Sequence, residues 1–517
     1  MLIVLIVLVV SLVVPTRAEE EYGLIATLQS PTPDGYGGFG SEIALSEGLF
    51  LIGEERASVD DLRGGGKAYI FDSDGVLVSV LSSPTPRANE DFGDTVDVQG
   101  DIIVVGNLAA IIGKLEWAGK AHVFDSHGSL LYTLQSPQPK TSGFFGSEVA
   151  IGKDVILVGA LGTEEGIYLA GSVHVYTFEG VHLTTLTSPS MKHAGWFGYA
   201  LAANEEFILV GESGGKSAPP FVIGSVHVFD YDWNHVVTLQ APESKARANF
   251  GGSIAISGDV VVIGEDWADV EGHERAGRVH IFDTGWNHLA TLQAPVPEDS
   301  GDFGIDVAVG GDIIVVGERK EDVKSQNEGK AYVFDLQGNL ISTLTSPEPS
   351  IGTQFGWRVD TDGEIVVVAE FEATVDGEVK AGKVHIFQAG AAAFTSSGLN
   401  IDPSSVDLGG TLTISVEVTN TGAKSGTHTV ALKIDGEVED EKTVTVNPDE
   451  TETVTFSLAG SQLGTFSVEI DGLSGSYTVT EPEEPTFWDR IPGFPYEAII
   501  LGLVAGVLIL WMLQRRQ

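Results

Sequence analysis

A phenylalanine–glycine pair returns seven times along this chain, at Phe39, Phe92, Phe145, Phe197, Phe250, Phe303 and Phe355, at intervals of 52 or 53 residues. A leucine in TLQSP-like stretches keeps the same intervals at Leu28, Leu81, Leu134, Leu186, Leu239, Leu292 and Leu344. Periods near fifty residues mark propellers and solenoids, in which each unit buries its apolar face only against the next. Every copy divides into four short runs. In the second they are GDTVDV, DIIVVG, KAHVFD and LLYTLQS, rich in Val, Ile, Phe and Thr and bounded by Gly, Asp or Pro. Four strands per copy without helical periodicity predict one propeller blade each, so seven copies predict seven blades. Strand-only solenoids have shorter periods, and helical stacks lack such β-runs. The seventh copy stops after its third run, GKVHIF, while LIATLQSP at 24–31 precedes the first copy without partners. A closed ring pairs that strand beside Gly382–Phe387 and leaves no open seam.

The links between runs alternate in length. First-to-second and third-to-fourth links are tight turns such as QGD and DSDG. Second-to-third links such as EDWADVEGHERAG (265–277) and fourth-to-first links such as SPTPRANED are long. In an up-and-down sheet alternate links fall on opposite ends, so the long loops share one face, where binding residues usually sit. Loop aromatics are candidate ligand contacts: Tyr36, Trp117, Tyr168, Trp196, Phe221 and Trp267, with Trp117 and Trp267 expected to be exposed. A second candidate set is the acidic residue ending the second run: Glu54, Glu212, Glu265, Glu318 and Glu370, with Asn107 and Ala160 in the other two copies. These either ring a channel mouth and attract cations or form hydrogen bonds at strand ends. His122, His174, His227, His280 and His385, replaced by Tyr69 and Tyr332 in two copies, lie one per blade, too dispersed for one metal ion, and read as packing residues.

The FG…VG core followed by G-x-A-x-V-F over residues 24–388 resembles the FG-GAP repeat of integrin α-chain propellers and their prokaryotic relatives. The resemblance implies a seven-bladed propeller whose long-loop face meets ligands. Integrin-type repeats often hold calcium in a D-x-D-x-D-G hairpin. Here the hairpins read SEG, QGD, GKD, NEE, SGD and GGD, too short and too poor in carboxylates for that ion. Only Asp360 and Asp362 keep a remnant, so neither calcium nor another cofactor is expected.

After the spacer 389–398, residues 399–480 alternate Thr, Val and Ile in short runs, predicting an immunoglobulin-like β-sandwich. VEVTNTG…SGTHTVALKIDG and GTFSVEIDG resemble the CARDB domain, an interaction or spacing module. An acidic, Pro-containing stalk (481–493) leads to about twenty mostly apolar residues at 494–513 and a tail, 514–517, with two arginines. That stretch is long enough to span a bilayer, with the C-terminus cytoplasmic. Pro492, Gly493 and Phe494 are similar to the PGF-type sorting signals of archaeal surface proteins, which implies cleavage and lipid attachment as the alternative to a plain anchor. Residues 1–18, MLIVLIVLVVSLVVPTRA, read as a signal peptide or an uncleaved N-terminal helix. The remainder, with the propeller at 19–388, is then extracellular.

The balance of 28 Lys and Arg against 73 Asp and Glu, a net charge of −45, excludes a polyanion such as nucleic acid as the natural partner. With no cysteine there is no disulfide, thiolate metal site or cysteine nucleophile. No G-x-S-x-G, H-E-x-x-H or Walker-type glycine loop is present. The expectation is an all-β, surface-anchored adhesion or binding protein for an extracellular protein or polysaccharide. The alternatives are a passive envelope component and, third, a glycan-active enzyme on a propeller scaffold. A pocket with converging carboxylates would favour the enzyme.

Overall fold

A computed structural model describes residues 22–482 except 163, 165, 215–222, 244, 246, 320–328, 351, 391, 423–424 and 449, together with 504, 507–508 and 511–512. The segment 1–18, expected to be a signal peptide, and Pro492, Gly493 and Phe494 lie outside the described residues, as does most of 494–513. Among the described residues no helix is long and apolar enough to cross a membrane. The chain is all-β and falls into two compact units that divide at Phe394.

The first unit contains seven four-stranded antiparallel sheets, one per copy. Sheet 1 runs Phe39–Ser46, Leu49–Glu54, Lys67–Phe71, Leu77–Leu81, and the others repeat this order. Sheet 7 takes three strands from copy 7 and its fourth from the N-terminal side of copy 1. Tyr22–Gln29 pairs antiparallel with Lys383–Ala389, with Leu28 opposite Val384 and Leu24 opposite Phe387. Seven hydrophobic clusters each join one sheet to the next. The cluster that contains Phe39, Ile52 and Tyr69 of sheet 1 also holds Val367, Val384 and Ile386 of sheet 7, so the cycle closes.

The Phe-Gly pair is the hinge of each seam. All seven phenylalanines are buried. Each packs on two aromatic rings of its third strand, as Phe145 does on His174 at 5.4 Å and edge-on against Tyr176 at 6.1 Å. Burying one such ring stabilises the seam by about 1.5–3 kcal/mol. The next residue must be glycine for two reasons. Gly146 has φ 84°, and a Cβ there would stand 2.2 Å from Lys120 O of the preceding sheet. After the pair the register slips, between Phe145 and Val149 for example, so the two residues following Phe-Gly bulge out of the ladder.

The second unit is two sheets on one core. Phe394–Asp402, Thr411–Asn420 and Thr451–Ala459 form one, and five strands from Ser405 to Thr480 form the other. Thr411–Asn420 alternates exposed and buried positions and sends Leu412, Ile414, Val416 and Val418 inward against Val430, Leu432 and Phe456. The spacer expected at 389–398 is shorter than the composition suggests: one strand ends at Ala389, and another begins at Phe394, pairing with Asn420. Its small polar residues, Thr395, Ser396 and Ser397, form an edge strand of the sandwich and not a free linker.

Candidate functional site

The long loops meet one another in a repeated pattern. In the five copies whose second-to-third loop is described at this point, that loop accepts a backbone hydrogen bond from the incoming link of the next copy: Tyr36 N to Val379 O (2.9 Å), Asn89 N to Arg63 O (3.0 Å), Ser142 N to Glu116 O (2.9 Å), Ala194 N to Tyr168 O (2.8 Å) and Ser300 N to Glu274 O (2.8 Å). The loops therefore form one connected face. Third before the third strand is a position with the same left-handed backbone wherever it is described, yet it carries Gly64, Trp117, Leu169, Arg275 and Lys380, with φ from 48° to 65°. Glycine suits this conformation best, so a tryptophan there is retained against local preference. Trp117 is 46% exposed and touches Phe144 edge-on at 5.9 Å.

The other loop aromatics divide. Tyr36 and Tyr168 are exposed, Tyr168 beside His193 at 5.3 Å. Trp267, expected to be exposed, is half-buried under Arg275, whose guanidinium stands 4.3 Å above the ring. The cause is its place two residues after the second strand, where its backbone N–H donates to Ala248 O at 3.1 Å. Trp196 is half-buried, stacks on Tyr199 at 5.6 Å and turns to the centre of the unit. Phe221 lies outside the described residues.

The acidic strand ends do not ring an opening. Glu54, Glu212, Glu265, Glu318 and Glu370 are at most 2% exposed. Glu54, Glu212 and Glu370 stand opposite the seam phenylalanines, where side-chain alternation turns them into the seam. Each carboxylate takes a hydrogen bond from the third strand: Tyr69 to Glu54 (2.5 Å), His227 to Glu212 (3.0 Å), His280 to Glu265 (3.1 Å), Tyr332 to Glu318 (2.6 Å) and His385 to Glu370 (2.9 Å). The other ring nitrogen of His227, His280 and His385 meets a fourth-strand threonine, Thr238, Thr291 or Thr27. The two residue sets that look independent in the sequence are thus one structural relay. Burial raises the Glu54 carboxyl to about 7 against the Tyr69 and Ser30 hydrogen bonds. Glu212 is instead held below the usual range: burial opposes this, but the His227 hydrogen bond and the Lys192 ammonium prevail. Where copy 2 has Asn107 and copy 3 Ala160, burial with nearby cations lowers His122 to about 3 and His174 to about 4.

The calcium remnant is consumed by the backbone. Asp360 accepts from Leu45 N (2.6 Å) and Thr361 N (2.8 Å), tying sheet 7 to sheet 1, and Asp362 Oδ1 accepts from Glu364 N and Ile365 N. Among the described residues no group of three or more His, Asp or Glu is placed to hold a metal ion.

What the sequence does not reveal is a central cavity of about 530 Å³, to which the bulged residues after Phe-Gly in all seven sheets contribute. First strands supply Glu42, Asp94, Glu148 and Arg358, and Asp306 stands just before the first strand of its sheet. Leu108, Leu161 and Leu169 come from the long loops, with Phe144 and Trp196 from the incoming links. Arg358 Nε donates to Glu42 at 2.9 Å, and its guanidinium lies 5.0 Å from the Trp357 ring centre. Burial raises the Glu42 carboxyl despite Arg358 and lifts Asp306 to about 7. Burial and neighbouring carboxylates hold Asp94 and Glu148 well above the ordinary range.

Comparison with known proteins agrees with this architecture. The FG-GAP repeat matches residues 233–282 and 286–334, and the CARDB domain matches 398–481. The chain thus carries FG-GAP repeats and a CARDB domain. No curated protein sequence matches. Among solved structures, a β-glucosidase from Erythrobacter marinus aligns at 20% identity over 18% of this chain and 17% of that one, with a TM-score of 0.17. A likeness that slight carries no argument about fold or chemistry.

Proposed function

We propose that this chain is an extracellular binding protein: a seven-bladed β-propeller whose long-loop face meets a protein or polysaccharide, followed by a spacing CARDB sandwich. In this reading 1–18 directs export and 494–513 anchors the chain, the alternative being cleavage and lipid attachment at a sorting signal of Pro492, Gly493 and Phe494. The carrying observation is the loop position that keeps one backbone conformation and changes its side chain in every described copy, from Gly64 to an exposed Trp117. The fold requires no such variety, whereas recognition by rigid aromatic anchors does. FG-GAP repeats and a CARDB domain fit an extracellular binding or structural role.

The test is retention of envelope proteins or polysaccharides on the full-length chain. The binding reading expects a retained, intact partner and its loss in Trp117→Ala/Tyr168→Ala. No retention from any extract would favour a passive envelope role. A second reading, glycan hydrolysis, rests on the carboxylates that share the central cavity. Shortened glycans in the same assay, abolished by Glu148→Gln, would establish it.

A further inference from the structure

The central cavity differs in kind from the seams around it. Its volume, about 530 Å³, lies in the range of small-molecule sites. Its lining has two parts: carboxylates at the starts of the sheets' first strands, and leucines with Phe144 and Trp196 from the loops and links. Four carboxyl groups share it with Arg358, which already pairs with Glu42, and with Arg319, whose guanidinium is engaged by buried Asp302 at 2.9 Å. Glu148 forms no hydrogen bond or ion pair with any described residue, unlike Glu42 and Asp306.

Three further lining residues leave a buried polar atom unpaired: Ser147 Oγ, Trp196 Nε1 and Asn249 Oδ1. Asn249 is only 3% exposed, and its amide nitrogen is committed to Asp266 at 2.5 Å. Orphaned polar atoms beside a cavity are costly unless a bound molecule completes them.

We propose that this cavity binds a small organic amine, its ammonium among Glu148, Asp94 and Asp306 and its apolar body against the loop-derived part. The excess of carboxylates over free cations selects positive charge, and the leucine and aromatic part selects an organic ion over a bare metal ion. Burial, with Glu42 and Asp94 beside Glu148 and Glu55 and Asp91 beside Asp94, raises both carboxyls well above the ordinary range, so an ammonium, which favours their ionised form, should draw protons off them as it binds. The Glu42 and Asp306 carboxyls and the Arg358 and Arg319 guanidiniums line the same space, and Glu55 adjoins Asp94. The inference does not rest on the loop-face reading, since Trp117 does not line the cavity.

Calorimetry on the full-length chain tests it with three amines and their hydroxyl counterparts: phenethylamine and phenethyl alcohol, 1,5-diaminopentane and 1,5-pentanediol, glucosamine and glucose. The expected result is that at least one amine binds about tenfold or more tighter than its hydroxyl partner. Titration in unbuffered salt solution, followed with a pH electrode, should report proton release. Glu148→Gln should weaken that amine by about tenfold while retaining the melting transition, and Trp117→Ala should leave it unchanged. Equal binding of alcohol and amine, preference for glucose, absence of amine binding, or undiminished amine binding by Glu148→Gln would each overturn the proposal.

Discussion

Within each copy, two positions only three residues apart behave oppositely. Phe39, Phe92, Phe145, Phe197, Phe250, Phe303 and Phe355 are the same residue in the same buried place. Three residues on, the copies read Glu42, Thr95, Glu148, Ala200, Ser253, Asp306 and Arg358. The first position is wedged between neighbouring sheets, where a ring of fixed size and a glycine beside it are the steric solution. The second bulges toward a cavity that no neighbouring strand fills. Repetition records contact between sheets, and divergence records freedom from it.

Substitutions can break this contrast, beginning at the seam. Phe145→Ala removes a buried ring and its contacts with His174 and Tyr176, with an expected cost of about 3–5 kcal/mol in thermal or denaturant unfolding. Gly146→Ala forces a Cβ to 2.2 Å from Lys120 O and should cost roughly 2–4 kcal/mol. Gly100→Ala, at φ 55° with nothing within 4 Å, should cost only about 1 kcal/mol. Equal losses at the two glycines would contradict the seam account. Glu212→Gln weakens the hydrogen-bonded His227–Thr238 relay and should cost about 1–3 kcal/mol.

The cavity position sharpens the comparison, because there the sign reverses. A carboxyl raised in the folded state contributes stability below its unfolded pKa and loses it as pH rises through the folded value. Glu148 is such a group. Glu148→Gln should therefore melt higher than the parent at pH 8, with the difference vanishing near pH 4.

The smallest effect is expected in copy 2. His122, held at about 3, binds its proton more readily when unfolded, so its contribution is lost as pH falls from the unfolded value of about 6.5 toward 3. Asn107→Glu supplies the partner that His227, His280 and His385 have, and should reduce the fall in melting temperature between pH 7 and 4.5.

The parts of the molecule differ in how well the sequence announces them. The seven sheets are legible because a repeated contact leaves a repeated residue, and the unpartnered strand at 24–31 points to its place beside copy 7. The acidic strand ends are visible but misplaced: only the antiparallel register shows that Glu212 and His227, fifteen residues apart, meet on neighbouring strands of one sheet. Trp117 and Trp267 look alike on a long loop, yet one stands at the exposed turn before the third strand and the other is pinned beneath Arg275. The cavity carboxylates and Arg358 share a place in the repeat but no residue identity. Their signal is that they follow the repeated pair and differ from copy to copy.

The most direct test of the binding account is hydroxyl-radical footprinting of the full-length chain with the partner that it retains. Protection at Tyr36, Trp117 and Tyr168, with the exposed outer-strand residues Val78, Leu131 and Leu183 unchanged, is the predicted result. Protection of those outer strands with the loop aromatics still reactive would contradict it and would identify a protein that packs sideways into an envelope.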